Sequence, residues 1–439
     1  MHRRTVLKAG FGLASLPLLS RFAFAAEQKP VSFWYESATP ENQEALQKLL
    51  VEGFNAAHPD QLLSIDVRGS DLDKQLRVAM LSGTGPDVVF TAGPSYVAAM
   101  AQAGQLLALD DHAQKLGWNE RVLPLFLDLG RYNGKLYALA KTYETLGLFY
   151  NKTLFAANNW KAPTTLAELE ALAEEMKGKG IVPFAAGNAD WRPANEWHFS
   201  IAMNAIAGPE NVHKALTGVI AWTDPAFVAV VDTLAAWWDK GYYGDNYFSL
   251  TLEQSFAQLA TGQAGMGPTG TWSFTNVPTY FPPNNAEPGF AGFPSASGDP
   301  IFPLGIGSTL SVNAQSANPD GAAAVLDYMF SDRFYSEMNS VWQGEWNLPL
   351  ADLSKVKLAD TVLPLYTESM KQLASAVGAG NYGYTTWTFL PPATDTYLVS
   401  GLEEVWLKKT STADFLSKLD ETFRQEKDAG KVPAIPPRA

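Results

Sequence analysis

The sequence predicts an α/β protein of two lobes, on three observations. Its 439 residues exceed what one hydrophobic core usually serves. Strand and helix patterns alternate through the first hundred residues, as they do in sheets covered by helices. After a long loop-rich middle, the chain returns near Ile301 to the kind of pattern on which it opened. Aromatic residues at 12% and charged residues at 18% are those of a packed globular chain rather than a disordered one.

Taken in order, Val31 to Tyr35 reads as a strand, and 41–57 as an amphipathic helix with Leu46, Leu49, Leu50 and Phe54 on one face. Leu63 to Val67 alternates like a second strand, and the next helix stacks Leu72, Leu76, Ala79 and Met80. Gly83-Thr84-Gly85-Pro86 breaks that helix, and Asp87 to Phe90 forms a short buried strand, with Asp87 bracing the turn. Ligands of such sheets bind beyond the carboxyl ends of strands, which singles out Glu36 and the stretch from Thr91 to Ser95. In the middle, 164–178 is a helix capped by Thr164 or Thr165, and 225–240 carries Phe227, Val231, Leu234 and Trp238 as an apolar stripe. Two long loops, Ala186 to Pro193 and Thr279 to Pro300, have the length expected of functional segments. Thr309 to Val312 is a strand, a helix starts near Pro319, and the C-terminal part is helical apart from an aromatic loop at 381–392.

There is no cysteine. That excludes disulfides, cysteine-ligated metals, a thiol nucleophile and a lipid anchor on cysteine. Residues 1–26 hold Arg3, Arg4, Lys8 and Arg21 and no acid, so the remainder sets 28 bases against 45 acids, a net charge of −17. Such a chain repels nucleic acid and anionic membranes. The same 26 residues have the order of an export signal: a basic start, an apolar stretch from Ala9 to Leu19, and the small-residue site Ala23-Phe24-Ala25. Arg3-Arg4-Thr5-Val6-Leu7-Lys8 resembles the twin-arginine signal, with His2 where that pattern usually has Ser or Thr. An ordinary secretory signal is the alternative. A soluble, exported protein without an anchoring cysteine suits a periplasm.

None of the five histidines, His2, His58, His112, His198 and His213, is paired at the i, i+4 spacing of a metal site, and no H-E-x-x-H, G-x-S-x-G or Walker pattern occurs. No metal or cofactor is therefore expected. A pair of acids for glycoside hydrolysis stays open as an alternative, because such pairing is spatial.

Five segments together resemble the substrate-binding proteins of carbohydrate ABC importers, the maltose-binding-protein-like group. They are Ser82 to Val89 with Gly104 to Asp111; Gly134 to Ala140 leading into Glu144 to Lys152; Thr165 to Leu169; Phe256 to Met266 ending at Gly270-Thr271-Trp272; and Asn318 to Ala323. Their order spans about residues 30–350. The resemblance implies a two-lobed periplasmic binding protein fold, each lobe a mostly parallel sheet flanked by helices, with crossings near Tyr143–Gly147, Pro303–Gly307 and Asn347–Leu350. On that reading the export signal is 1–26, the N-terminal lobe 27–143 and 305–346, and the C-terminal lobe 144–304 and 347–439. It also implies no catalysis, a sugar or short oligosaccharide as ligand, inner-membrane permease subunits as partners, and a monomer.

A sugar site needs flat aromatic platforms for C–H faces and carboxylates or amides for hydroxyls. The resemblance points to Trp272 and Trp387 as stacking residues, with plain core tryptophans as the alternative. It places Glu144 as a ligand carboxylate, against a hinge salt bridge. Glu36 is a candidate from its strand end, against a helix-capping role. Trp191, Arg192, Asn195 and Trp197 are candidates from their loop, and Trp346 from its place beside the third crossing. Where maltose-binding members follow the Pro-Asp strand with a Trp and an Asp that hold sugar, this chain has Thr91 and Pro94, which weakens the case for maltose and leaves Tyr96 to supply aromatic surface. Trp237, Trp238 and Trp406 lie on helical stripes and read as core. A polyamine binder, a glycerol phosphate binder and a chemoreceptor-coupled sensor are the rivals on the same fold.

Overall fold

A computed structural model describes residues 28–189, 194–352 and 356–438. Its strands are β1 (Lys29–Tyr35), β2 (Gln61–Val67), β3 (Val88–Thr91), β4 (Arg131–Tyr132), β5 (Lys135–Leu136), β6 (Ala138–Asn151), β7 (Val182–Phe184), β8 (Ala264–Gly270), β9 (Pro288–Ala291), β10 (Pro303–Val312) and β11 (Gly383–Tyr384). Nine of them form one sheet in the order β2-β1-β3-β10-β6-β8-β7, with β11 beside β10 and β9 beside β6, while β4 and β5 make a separate hairpin.

Two long strands join the lobes. Over Ala138–Thr145, β6 pairs antiparallel with β10; over Leu146–Asn151 it pairs instead with β8 and β9. At its far end β10 pairs through Thr309–Val312 with β3, which neighbours the parallel pair β1 and β2. The antiparallel pairings of the main sheet all involve these two strands, whereas β1 with β2 and β3, β7 with β8, and β10 with β11 run parallel. Nearly every residue of β6 is buried, including the polar Lys141, Thr142, Glu144 and Thr145, so the strand is covered on both faces rather than alternating between core and solvent.

The register of β6 with β10 slips around Gly307, the pairs going from Ile306↔Tyr143 to Ser308↔Thr142 and then Thr309↔Ala140. Such irregularities bend a strand and re-aim its side chains. Here the irregularity brings Gly307 against the Glu144 carboxylate, so that a Cβ on Gly307 would lie 2.5 Å from Oε2.

Local chemistry accounts for most elements. Leu72–Ser82 buries Leu72, Leu76, Ala79 and Met80 and ends at Gly83 with φ +73°. Thr165 opens Leu166–Gly178 with a reciprocal capping box to Glu168. Asp87 accepts from the Ser32 backbone at 2.8 Å and from the hydroxyls of Ser32 at 2.7 Å and Ser316 at 2.6 Å, bracing the start of β3.

Three stretches differ from the sequence expectation. The helix over 41–57 contains a π-helical segment, Leu46–Glu52, whose wider turn buries Val51 in the place expected of Leu49. The loop from Thr279 to Pro300 contains β9, because Phe290 packs on Phe149 at 4.8 Å between centroids and supplies the apolar contact that sets a strand there. The aromatic stretch 381–392 is built from β11 and the helical turn Thr386–Phe389. Trp237 and Trp406 are core residues as read, and Trp238 is partly buried and stacked on Trp406 at 5.0 Å.

Candidate ligand cavity

The two long strands bring a polar and an aromatic wall together around a cavity of about 210 Å³. Glu36 and Ser37 reach it from the carboxyl end of β1, Thr142 and Glu144 from β6, and Gly307 and Ser308 from the irregular part of β10. Trp272 comes from the 3-10 turn that follows β8, Trp197 and Leu252 from helices, Trp387 from the turn after β11, and Glu345 from the segment before Asn347.

The indoles form a run of three. Trp272 lies 5.2 Å from Trp197 at 56° and 5.9 Å from Trp387 at 73°, centroid to centroid, in tilted and edge-on arrangements. The Trp272 ring presses on Gly270, where no Cβ can fit, so the bare backbone at the end of β8 sets the ring's orientation. Trp387 is held from below: Thr385 donates to the Leu304 carbonyl at 3.0 Å, and the Ile306 backbone donates to Thr388 at 2.8 Å. Among the described residues, the buried Nε1 donors of Trp272 and Trp387 have no hydrogen-bond partner.

The carboxylates are Glu36, Glu144 and Glu345. Glu144 is buried and packs against Gly305 and Gly307. Beside them Tyr35 is buried, and burial first, with the Glu345 and Glu36 carboxylates adding to it, holds its phenol well above the ordinary value. It therefore stays a donor, to Glu345 Oε1 at 3.2 Å. No group of three or more His, Asp or Glu side chains among the described residues is placed to hold a metal ion.

Of the sequence candidates, Trp272, Trp387, Glu144, Glu36 and Trp197 meet at this one cavity. Trp191 and Arg192 lie outside the described residues. Three others stand elsewhere. Trp346 is fully buried and stacked on Tyr35 at 5.8 Å, because its segment folds under the cavity rather than into it. Asn195 is buried and spends its amide on the Val399 carbonyl at 2.6 Å, tying two helices together. Tyr96 stands on the helix Pro94–Gln102 and is not part of the cavity wall. Sequence reasoning missed Thr142, Ser308 and Glu345. Thr142 and Ser308 carried no signal that set them apart, since their strands hold other polar residues, and the approach of Glu345 depends on how the segment after Trp342 folds.

A family model described as "Bacterial extracellular solute-binding protein" matches residues 37–334. The Diacetylchitobiose binding protein NgcE of Streptomyces coelicolor is 24% identical over 336 residues, 70% of this chain and 66% of that protein. A Probable sugar-binding periplasmic protein of Brucella melitensis is 27% identical over 285 residues, 62% of this chain and 65% of the relative. The chain thus spans about two thirds of the length of these relatives. Among solved structures, a Chitin oligosaccharide binding protein superposes with a TM-score of 0.79 at 22% identity, covering 91% of this chain and 99% of the other. The GacH receptor of Streptomyces glaucescens superposes with a TM-score of 0.72 at 22% identity, covering 91% and 98%. At those identities the likeness shows the fold alone, which is the two-lobed one. No helix among the described residues is long and apolar enough to cross a membrane. With the family model matching well over half its length, the chain belongs to the bacterial extracellular solute-binding proteins.

Proposed function

We propose that this protein is the periplasmic binding component of an ABC importer, capturing a sugar or short oligosaccharide in the cavity between its lobes and passing it to permease subunits without chemical change. The observation that carries the reading is the meeting of three indoles and three carboxylates around one cavity at the strands that join the lobes. Flat apolar faces and paired acceptors are the complement of a sugar ring. The lobes divide as 27–143 with 305–346 and 144–304 with 347–439, and ligand contacts from both favour a closed state by hinge motion. The protein works as a monomer, exported by the twin-arginine route, freed from its 1–26 signal by cleavage and not anchored by lipid.

Thermal melting in millimolar saccharides tests this. The panel takes in diacetylchitobiose, chitin oligosaccharides, xylo-oligosaccharides, galactose, raffinose and maltose, sugars suggested by what its relatives bear in their names. A ligand at about 100 times its Kd stabilises the folded state by about 2.7 kcal/mol, so one or more sugars should raise Tm clearly. A panel that shifts nothing refutes the carbohydrate reading.

A second reading draws on the same wall. Three carboxylates beside indoles would also hold a polyamine, so putrescine and spermidine belong in the panel. A phosphate ester is less suited, since the described lining offers no cationic side chain to it.

A further inference from the structure

Glu345 stands between two environments. Its Oε1 accepts from the Lys141 ammonium and from the Tyr35 hydroxyl, and its backbone carbonyl accepts from Lys141 Nζ at 3.1 Å and from the Thr142 hydroxyl. The Lys141 side chain is wholly buried. Its ammonium lies 4.4 Å from the Trp346 ring centroid, 5.3 Å from that of Tyr35 and 5.6 Å from that of Phe90. A buried ammonium needs both a counter-charge and hydrogen bonds, and the aromatic faces add to them.

That need is met by one oxygen of the carboxylate. The other, Oε2, forms no hydrogen bond among the described residues, and the Glu345 side chain keeps 22% of its surface exposed where it lines the cavity. The ion pair on Oε1 fixes the plane of the carboxylate, and with it the direction in which Oε2 points.

We propose that Glu345 is a ligand-binding residue, its Oε2 accepting a hydroxyl of the bound sugar, and that Lys141 and Tyr35 are positioning residues that hold it there. The assignment rests on the sugar reading above. Since the same residue is bonded to β6 through Thr142, it also ties ligand contact to the strand shared by both lobes.

The test is calorimetric titration of diacetylchitobiose, xylo-oligosaccharide, galactose, raffinose and maltose into wild type, Lys141→Met, Glu345→Gln and the double variant, with Tm measured for each. Glu345→Gln strands the buried ammonium, so Tm falls, and Kd for a sugar that binds wild type rises tenfold or more. In the double variant no charge is stranded, so Tm recovers, yet Kd stays as high as in Glu345→Gln. Lys141→Met alone weakens binding, and that loss vanishes when combined with Glu345→Gln, because it acts through the carboxylate. A double variant that binds within twofold of wild type overturns the assignment and makes Glu345 a structural counter-ion only. Silence of all five sugars on wild type overturns the sugar reading and this assignment together, whereas equal binding by wild type and variants overturns this assignment alone.

Discussion

The side-chain amide of Asn347 donates to the Tyr143 carbonyl at 2.8 Å while the Asn347 carbonyl accepts from the Tyr143 backbone at 3.0 Å, so one residue completes both bonds to β6 that a strand neighbour would make. Tyr335 donates to the remaining Asn347 oxygen at 2.9 Å, leaving this buried amide well satisfied. Asn347→Ala keeps the backbone bond but leaves the Tyr143 carbonyl and the Tyr335 hydroxyl without their side-chain partner inside the protein, and should cost about 1–3 kcal/mol. Urea unfolding measures it, and a change below about 0.5 kcal/mol, the usual range of surface substitutions, would contradict the bracing role.

Gly307 and Glu144 predict a second effect. The Cβ of Gly307→Ala would meet both Glu144 oxygens, at 2.5 and 2.8 Å. Overpacking of this kind costs about 1–3 kcal/mol, and here it also pushes a cavity carboxylate from its place. Both Tm and sugar affinity should fall. Gly178→Ala is the control: it meets nothing within 4 Å at the last residue of a helix, and should lower neither Tm nor sugar affinity.

Trp272 is only partly buried, so Trp272→Ala should leave folding nearly intact while removing a platform from the cavity. A tenfold or larger rise in Kd, equivalent to about 1.4 kcal/mol, is expected by calorimetry. Gly270→Ala should act in the same direction by displacing the Trp272 ring. Unchanged affinity in both variants would mean that the indole serves packing alone.

His198 is wholly buried against Tyr243 at 4.7 Å, and desolvation lowers its pKa from the ordinary 6.5 to about 3. The unfolded chain therefore takes up this proton first. Above pH 6.5 the group leaves stability unchanged, and as the pH falls from 6.5 toward 3 it costs about 1.4 kcal/mol per unit. His198→Gln should flatten part of the decline of stability between pH 6.5 and 4, read by urea unfolding at each pH. An unaltered slope would show that this histidine does not set it.

Much of the fold was legible because its signals are local. The stripe of Leu72, Leu76, Ala79 and Met80, the Thr165 cap and the turn at Gly83 each depend on neighbours within a few residues. β9 and the π-helical turn at Leu46–Glu52 were not legible, since each follows from packing against distant residues. The aromatic wall could be approached from the sequence through Trp272 and Trp387, whose settings are short motifs. Of the polar wall, Glu36 and Glu144 could be approached in the same way, whereas Thr142, Ser308 and Glu345 could not, because they come from three segments that the long strands bring together. Trp346 stood in the right segment and pointed the wrong way, a matter that adjacency in sequence does not decide.

The most direct measurement is a crystal structure of the protein with the saccharide that raises its Tm most. The expected result is a sugar ring in the cavity, against Trp272 and Trp387, with its hydroxyls on Glu144 and Glu36. A saccharide bound elsewhere, with this cavity filled only by water, would contradict it.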